Sequence, residues 1–171
     1  MNMKNVTSLF SIIIFCFFFI KLNAQNNPSN TKNLYNPTAD AKKDISNVIA
    51  QAKKENKHVF LQIGGNWCGW CIAFDKKVNE NEELKKILNE NYVVYHLNYS
   101  KENTNSEILK ELAYPQRFGF PVFVILDADG NRLHTQNSSY LEEGKGHSAE
   151  KVKEFLESWS VKTLDPNNYK D

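Results

Sequence analysis

Sulfur is scarce in this chain: its 171 residues hold three cysteines and two methionines. Two of the cysteines, Cys68 and Cys71, share one stretch, GGNWCGWCIAF, while Cys16 lies in an apolar run near the start. A second C-x-x-C pair is missing, and His58, His96, His134 and His147 are scattered without a short-spaced pair. A structural zinc site wants four ligands at such spacings, so only a metal bridged between two chains would be left to the lone pair. A surplus of one charge is missing too, with 21 Lys and Arg against 20 Asp and Glu. That balance offers no electrostatic warrant for binding nucleic acid or an anionic membrane surface. Internal repeats and low-complexity blocks are also lacking, which excludes solenoid and array architectures.

What is present predicts one globular domain behind a leader. Lys4 precedes an almost unbroken apolar run from Leu9 to Ile20, and Leu22-Asn23-Ala24 ends it on a small residue. The pattern predicts a secretory signal peptide over residues 1–24, cut after Ala24. An uncleaved anchor is the rival, but the run is shorter than the roughly 20 apolar residues of a bilayer span. Lipidation at Cys16 is disfavoured because Phe17, Phe18, Phe19 and Ile20 continue the run beyond it. Cleavage removes Lys4, Lys21, both methionines and Cys16, so 19 basic and 20 acidic residues remain and all the sulfur is at Cys68 and Cys71. An exported location, periplasmic or secreted, is oxidising and permits a disulfide between them.

Residues 25–37, rich in Asn and Pro, read as a flexible linker, with order beginning near Thr38. Ala41, Ile45, Val48, Ile49 and Ala52 then recur at helical spacing, predicting a helix over 38–56 with Thr38 at the N-cap position. HVFLQIGG predicts a buried strand that stops at two glycines. A helix over Cys68–Val78 follows, and Asn81 caps a restarted helix carrying Leu84, Ile87 and Leu88. YVVYHLNY (92–99) predicts a second strand, and NSEILKELAY (105–114) a short helix. PVFVILDADGNRLHTQ predicts a hairpin turning at Asp129-Gly130-Asn131. Beyond a polar loop, Ser148 caps a last helix with the stripe Val152, Phe155, Leu156 and Trp159. The domain is expected over 38–162, with 163–171 as a C-terminal tail. Strands alternating with helices, then a hairpin, imply an α/β fold with a mixed central β-sheet flanked by helices on both faces.

The cysteine pair therefore falls where a strand hands over to a helix. As a structural staple it would achieve little, since so small a loop restrains few unfolded conformations. Redox exchange has a physical reason to use the place: a sulfur at a helix start meets unpaired N–H groups and the positive end of the macrodipole, which favour thiolate. That makes Cys68 the candidate nucleophile and Cys71, one turn on, the candidate resolving thiol. Gly69 leaves the space beside Cys68 open, while Trp67 and Trp70 offer apolar faces that core packing would equally use.

VFLQIGGNWCGWC, followed about fifty residues later by RFGFPVFVILDADGN, resembles the thioredoxin superfamily, and most of all its secreted bacterial W-C-x-x-C members. The likeness runs over roughly residues 40–160. It implies a thioredoxin-like fold and a cis proline at Pro121, after Phe120, that packs against the cysteine pair and helps present backbone to a substrate. This chain also departs from thioredoxin. Gln62 stands six residues ahead of the first cysteine, where thioredoxins carry a buried Asp that moves the resolving thiol's proton. Ile72 replaces a frequent Lys, and Gly69-Trp70 replaces Gly-Pro. Gln62 is no base, so water or another carboxylate must take the proton; Asp75, one helical turn beyond Cys71, is a geometric candidate only and reads more readily as an ordinary surface acid. Because the residues between the cysteines tune the potential, redox direction does not carry over with the motif.

Tyr114, Arg117 and Phe118 are weaker candidates for flanking a groove, and YLEEGKGHS reads either as a loop for contact with a partner or as a tolerated insertion. The expected function is thiol-disulfide exchange with protein thiol or disulfide substrates, reset by a redox partner, by a monomer needing no metal or organic cofactor and, once cleaved, no membrane. The alternative is a thioredoxin-like binding or chaperone module for exported proteins whose disulfide is idle.

Overall fold

The computed structural model describes residues 33–170. The expected signal peptide, Cys16 and the first part of the expected linker, residues 25–32, lie outside them, as does Asp171. The chain runs α1 (Ala41–Glu55), β1 (His58–Gly64), α2 (Gly69–Glu80), α3 (Glu82–Asn91), β2 (Tyr92–Asn98), α4 (Ser106–Glu111), β3 (Val122–Leu126) and β4 (Arg132–Asn137). A two-stranded ribbon, β5 (Glu142–Glu143) with β6 (Gly146–His147), then leads into α5 (Ala149–Ser158). The sheet order is β2-β1-β3-β4, with β1 parallel to β2 and antiparallel to β3. This is the mixed α/β sheet that the pattern of elements predicts.

Side chains alternate across the sheet because successive strand residues point to opposite faces. Val59, Leu61 and Ile63 of β1 join Val122, Val124 and Leu126 of β3 in an aliphatic core that includes Ala41 and Ala52 of α1. On the opposite face Phe60, Phe123 and Ile125 meet Phe74 of α2, Leu84 of α3, and Val152, Phe155 and Leu156 of α5. Phe74 and Phe123 lie 4.3 Å apart between ring centroids. All of β1 is buried, so it serves as the rigid bed from which the next loop departs.

Four boundaries differ from the sequence expectations. Order begins ahead of Thr38, because Tyr35, inside the expected linker, is fully buried. The cap of α1 is Asp40, whose carboxylate accepts the Lys43 N–H at 3.1 Å; Thr38 instead bonds through both N–H and hydroxyl to the Asn36 side chain. Helix α4 ends at Glu111, because Ala113 and Tyr114 adopt left-handed backbone, with φ of 60° and 57°. The expected tail folds back on itself in a 3₁₀ turn, Pro166–Tyr169, where the Tyr169 hydroxyl donates to the Thr163 carbonyl at 2.8 Å.

Candidate redox site

Strand β1 ends at Gly64, and the loop Gly65–Trp67 turns the chain into α2 with Cys68 as its N-cap. An N-cap must satisfy N–H groups that the helix leaves without partners. Here a sulfur does so: the Cys71 N–H donates to Cys68 Sγ at 3.1 Å. Cys68 and Cys71 are joined by a disulfide with a Cα–Cα separation of 5.2 Å. Cys68 is 5% exposed and Cys71 is fully buried, so the pair has an outer and an inner sulfur.

The outer end is framed by rings. Trp67 is 59% exposed, and its indole N–H donates to the Tyr99 carbonyl at 2.8 Å. Its ring meets that of Phe120 in a T-shaped contact at 5.4 Å, and Phe120 stacks on Tyr99 at 4.7 Å. A Cβ on Gly65 would overlap the Trp67 indole and lie 2.6 Å from the Tyr99 carbonyl oxygen, so glycine there lets this frame close. The Phe120–Pro121 peptide is cis, and Pro121 is buried one position before Val122, which pairs with Ile63 of β1. Phe120 packs against the cluster that holds both cysteines. Beside Gly69 nothing lies within 4 Å of where a Cβ would stand, leaving open space next to Cys68.

The inner end is built of polar groups. Gln62, 2% exposed, donates from Nε2 to the Cys71 carbonyl at 3.0 Å and to the Tyr35 hydroxyl at 2.8 Å. Tyr35 is clasped by the loop that precedes Cys68. Its N–H donates to Asn66 Oδ1 at 3.0 Å, and Asn66 Nδ2 donates to the Tyr35 carbonyl at 2.8 Å. Burial pushes the Tyr35 phenol well above its ordinary range; the Gln62 hydrogen bond opposes this, and the negative charge of Asp75 adds to it. Asp75 is turned to His96, with 3.5 Å from Oδ1 to Nε2, and His96 meets the Tyr35 ring edge-on at 5.6 Å.

Phe120 thus packs against the cluster of the pair, Trp67 reaches it through Phe120, Gly69 follows Cys68 directly, and Pro121 follows Phe120 across the cis bond. Trp70, 39% exposed, packs edge-on against His147 of the β5–β6 ribbon at 5.4 Å. Arg117 lies over the Phe118 ring at 4.2 Å and donates to the carbonyls of Ala113 and Tyr114, which ties it into its own turn. Tyr35 and Asn66 escaped the sequence reading. The one available signal was a large aromatic, Tyr35, after Leu34 in an otherwise polar segment. His147 also escaped it. That residue is 6% exposed, and its two ring nitrogens have no hydrogen-bond partner among the described residues. Among the described residues, no cluster of three or more His, Cys, Asp and Glu is arranged to hold a metal ion.

Comparisons with known proteins agree with this architecture. The disulphide isomerase of Xylella fastidiosa Temecula1 superposes with a TM-score of 0.65 at 24% identity, over 72% of this chain and 94% of that one. The C-terminal domain of Neisseria meningitidis DsbD, in its oxidised form, does so with 0.52 at 19% identity, over 70% of this chain and 96% of that domain. Likeness at these identities speaks for the fold. A stretch of 43 residues is 44% identical to spermatogenesis-associated protein 20 of Mus musculus and covers 25% of this chain. It spans only 5% of that protein's own length. A family model described as thioredoxin-like matches residues 40–128, more than half of the chain. The strand-to-helix disulfide, the buried cis proline just before β3 and this match together make the chain a member of the thioredoxin-like family.

Proposed function

We propose that this chain is an exported thiol-disulfide oxidoreductase that exchanges electrons with protein disulfides through Cys68 and Cys71. The observation that carries the reading is the Cys68–Cys71 disulfide across the first turn of α2, its outer sulfur at the N-cap beside open space and its inner sulfur buried. A sulfur at a helix start is favoured as thiolate, and a thiolate is what attacks disulfides. In the reducing direction, Cys68 attacks one sulfur of the substrate and the other leaves as a thiolate. Cys71 then loses its proton and attacks Cys68 Sγ, expelling the second substrate thiolate. Two electrons have passed to the substrate, the Cys68–Cys71 disulfide is formed, and a dithiol partner resets it. Run backwards, the same steps oxidise a substrate dithiol.

Trp67, Gly69, Trp70, Phe120 and Pro121 are proposed to support the bound polypeptide. Residues 1–24 are proposed as a leader removed on export to the periplasm or beyond, and the domain as a monomer. N-terminal sequencing of the exported protein is expected to begin at Gln25.

Insulin reduction with a dithiol donor tests the function. The wild-type protein is expected to accelerate precipitation of the insulin chains, and Cys68→Ser to lower the rate to background. If wild type and Cys68→Ser were equally inactive with insulin and with model disulfides, the domain would be a binding module with an idle disulfide.

A further inference from the structure

The inner sulfur borders the same gap as a hydroxyl that accepts from Gln62 and donates to no acceptor among the described residues. Gln62 Nε2 donates to the Cys71 carbonyl, an atom that can only accept, so the amide nitrogen must lie on that side. The same nitrogen is 2.8 Å from the Tyr35 hydroxyl, so that oxygen accepts the second amide hydrogen. The Tyr35 O–H is thereby left to donate elsewhere. A Cβ on Gly64 would overlap Cys71 Sγ and stand 3.0 Å from the Tyr35 hydroxyl oxygen and 3.3 Å from its ring carbon. Sulfur and hydroxyl therefore border one gap, kept open by a glycine at the end of β1. Tyr35 also belongs to the same cluster as Cys68 and Cys71. Its segment is clasped by two hydrogen bonds to Asn66, and Asn103 Nδ2 donates to the Pro37 carbonyl at 3.1 Å.

We propose that Tyr35, oriented by Gln62, is the hydrogen-bond donor that stabilises negative charge on Cys71 when this sulfur resolves a mixed disulfide. The inference rests on the redox function proposed above. As Cys71 attacks, its S–H bond is lost, the bond between Cys71 Sγ and Cys68 Sγ forms, and the bond from Cys68 to the substrate sulfur breaks. The electron pair leaves on the substrate thiolate, and the proton passes to solvent. Tyr35 keeps its own proton throughout, as burial dictates, and contributes only its O–H dipole. The charged or titratable groups around it are Cys68 at the N-cap of α2, Cys71 and Asp75 of α2, and His96 of β2.

Single-turnover reaction of the reduced protein with a fluorescent peptide disulfide separates a bimolecular attack by Cys68 from a unimolecular release that depends on Cys71. Tyr35→Phe is expected to slow the release about tenfold at neutral pH, with the attack unchanged and the pH midpoint of release moved up by about one unit. Incorporating 3-fluorotyrosine at position 35 preserves the shape and strengthens the donor, so it is expected to move that midpoint down. Equal release rates and midpoints in wild type and Tyr35→Phe would overturn the proposal. Should Tyr35→Phe fail to fold, an unmoved midpoint with 3-fluorotyrosine overturns it alone. Absence of the attack phase in wild type would instead remove the redox function itself.

Discussion

Around Cys68 the molecule turns rings outward, whereas around Cys71 it closes in with a phenol, an amide and a bare glycine. Trp67 is held by one hydrogen bond and an edge contact, with more than half of its surface free. Tyr35 and Gln62 have almost no free surface and are hydrogen-bonded to each other. Two sulfurs separated by one helical turn are thus given opposite surroundings. One end suits contact with another polypeptide, and the other suits control of a buried charge.

That contrast can be broken from the inside first. Gly64→Ala puts a methyl into the gap between Cys71 Sγ and the Tyr35 hydroxyl. Overpacking of this kind is expected to cost about 2 to 3 kcal/mol in urea unfolding of the oxidised protein. An unchanged unfolding midpoint would mean that the inner end is not tightly packed.

Asn66→Ala tests whether the outer loop holds the inner phenol, since Asn66 is exposed yet makes both bonds to the Tyr35 backbone. A loss of about 1 to 2 kcal/mol is expected. Faster amide exchange at Tyr35, with exchange in β3 unaffected, would locate the loss.

Trp67→Ala removes an exposed ring together with its hydrogen bond to the Tyr99 carbonyl and its edge contact with Phe120. Stability is expected to fall by no more than about 1 kcal/mol, while kcat/KM with a protein disulfide falls about fivefold. An equal fall with a small-molecule disulfide would refute the assignment of Trp67 to polypeptide contact.

The smallest expected effect belongs to His147, which packs edge-on under Trp70 and Phe74. Burial lowers its pKa from the ordinary 6.5, with Glu142 opposing and Lys77 adding to the shift. Below that ordinary value the unfolded chain takes up a proton that the folded chain refuses, so stability is complete above it and declines as the pH falls towards the folded pKa. The urea midpoint of His147→Phe should decline less than that of wild type as pH is lowered from about 7 to about 5. Identical declines would show that His147 plays no part.

Several of these features are visible in the sequence because they are local. The short apolar runs HVFLQIG and PVFVIL mark the two central strands, since a strand covered on both faces reads as a nearly continuous apolar segment. The glycine pair before W-C-G-W-C marks the turn from strand to helix. Thr38 misleads because Ser, Thr and Asp serve almost equally as caps, and which one does depends on where the chain enters the helix. The end of α4 misleads because its composition continues beyond the point where the backbone turns left-handed.

Tyr35 illustrates what lies beyond any local pattern. It meets Gln62 across 27 positions and Asn66 across 31, and no periodicity links them. The sequence by itself determined the sheet, the helices and the place of the sulfur pair at a helix start, because propensity, pleat and capping act between near neighbours. Tertiary structure decided that Cys71 lies inside, that Gln62 is spent as a donor, and that a phenol from ahead of α1 completes the site. Those contacts exist only once distant segments are packed together, and burial then gives their few hydrogen bonds control over the inner sulfur.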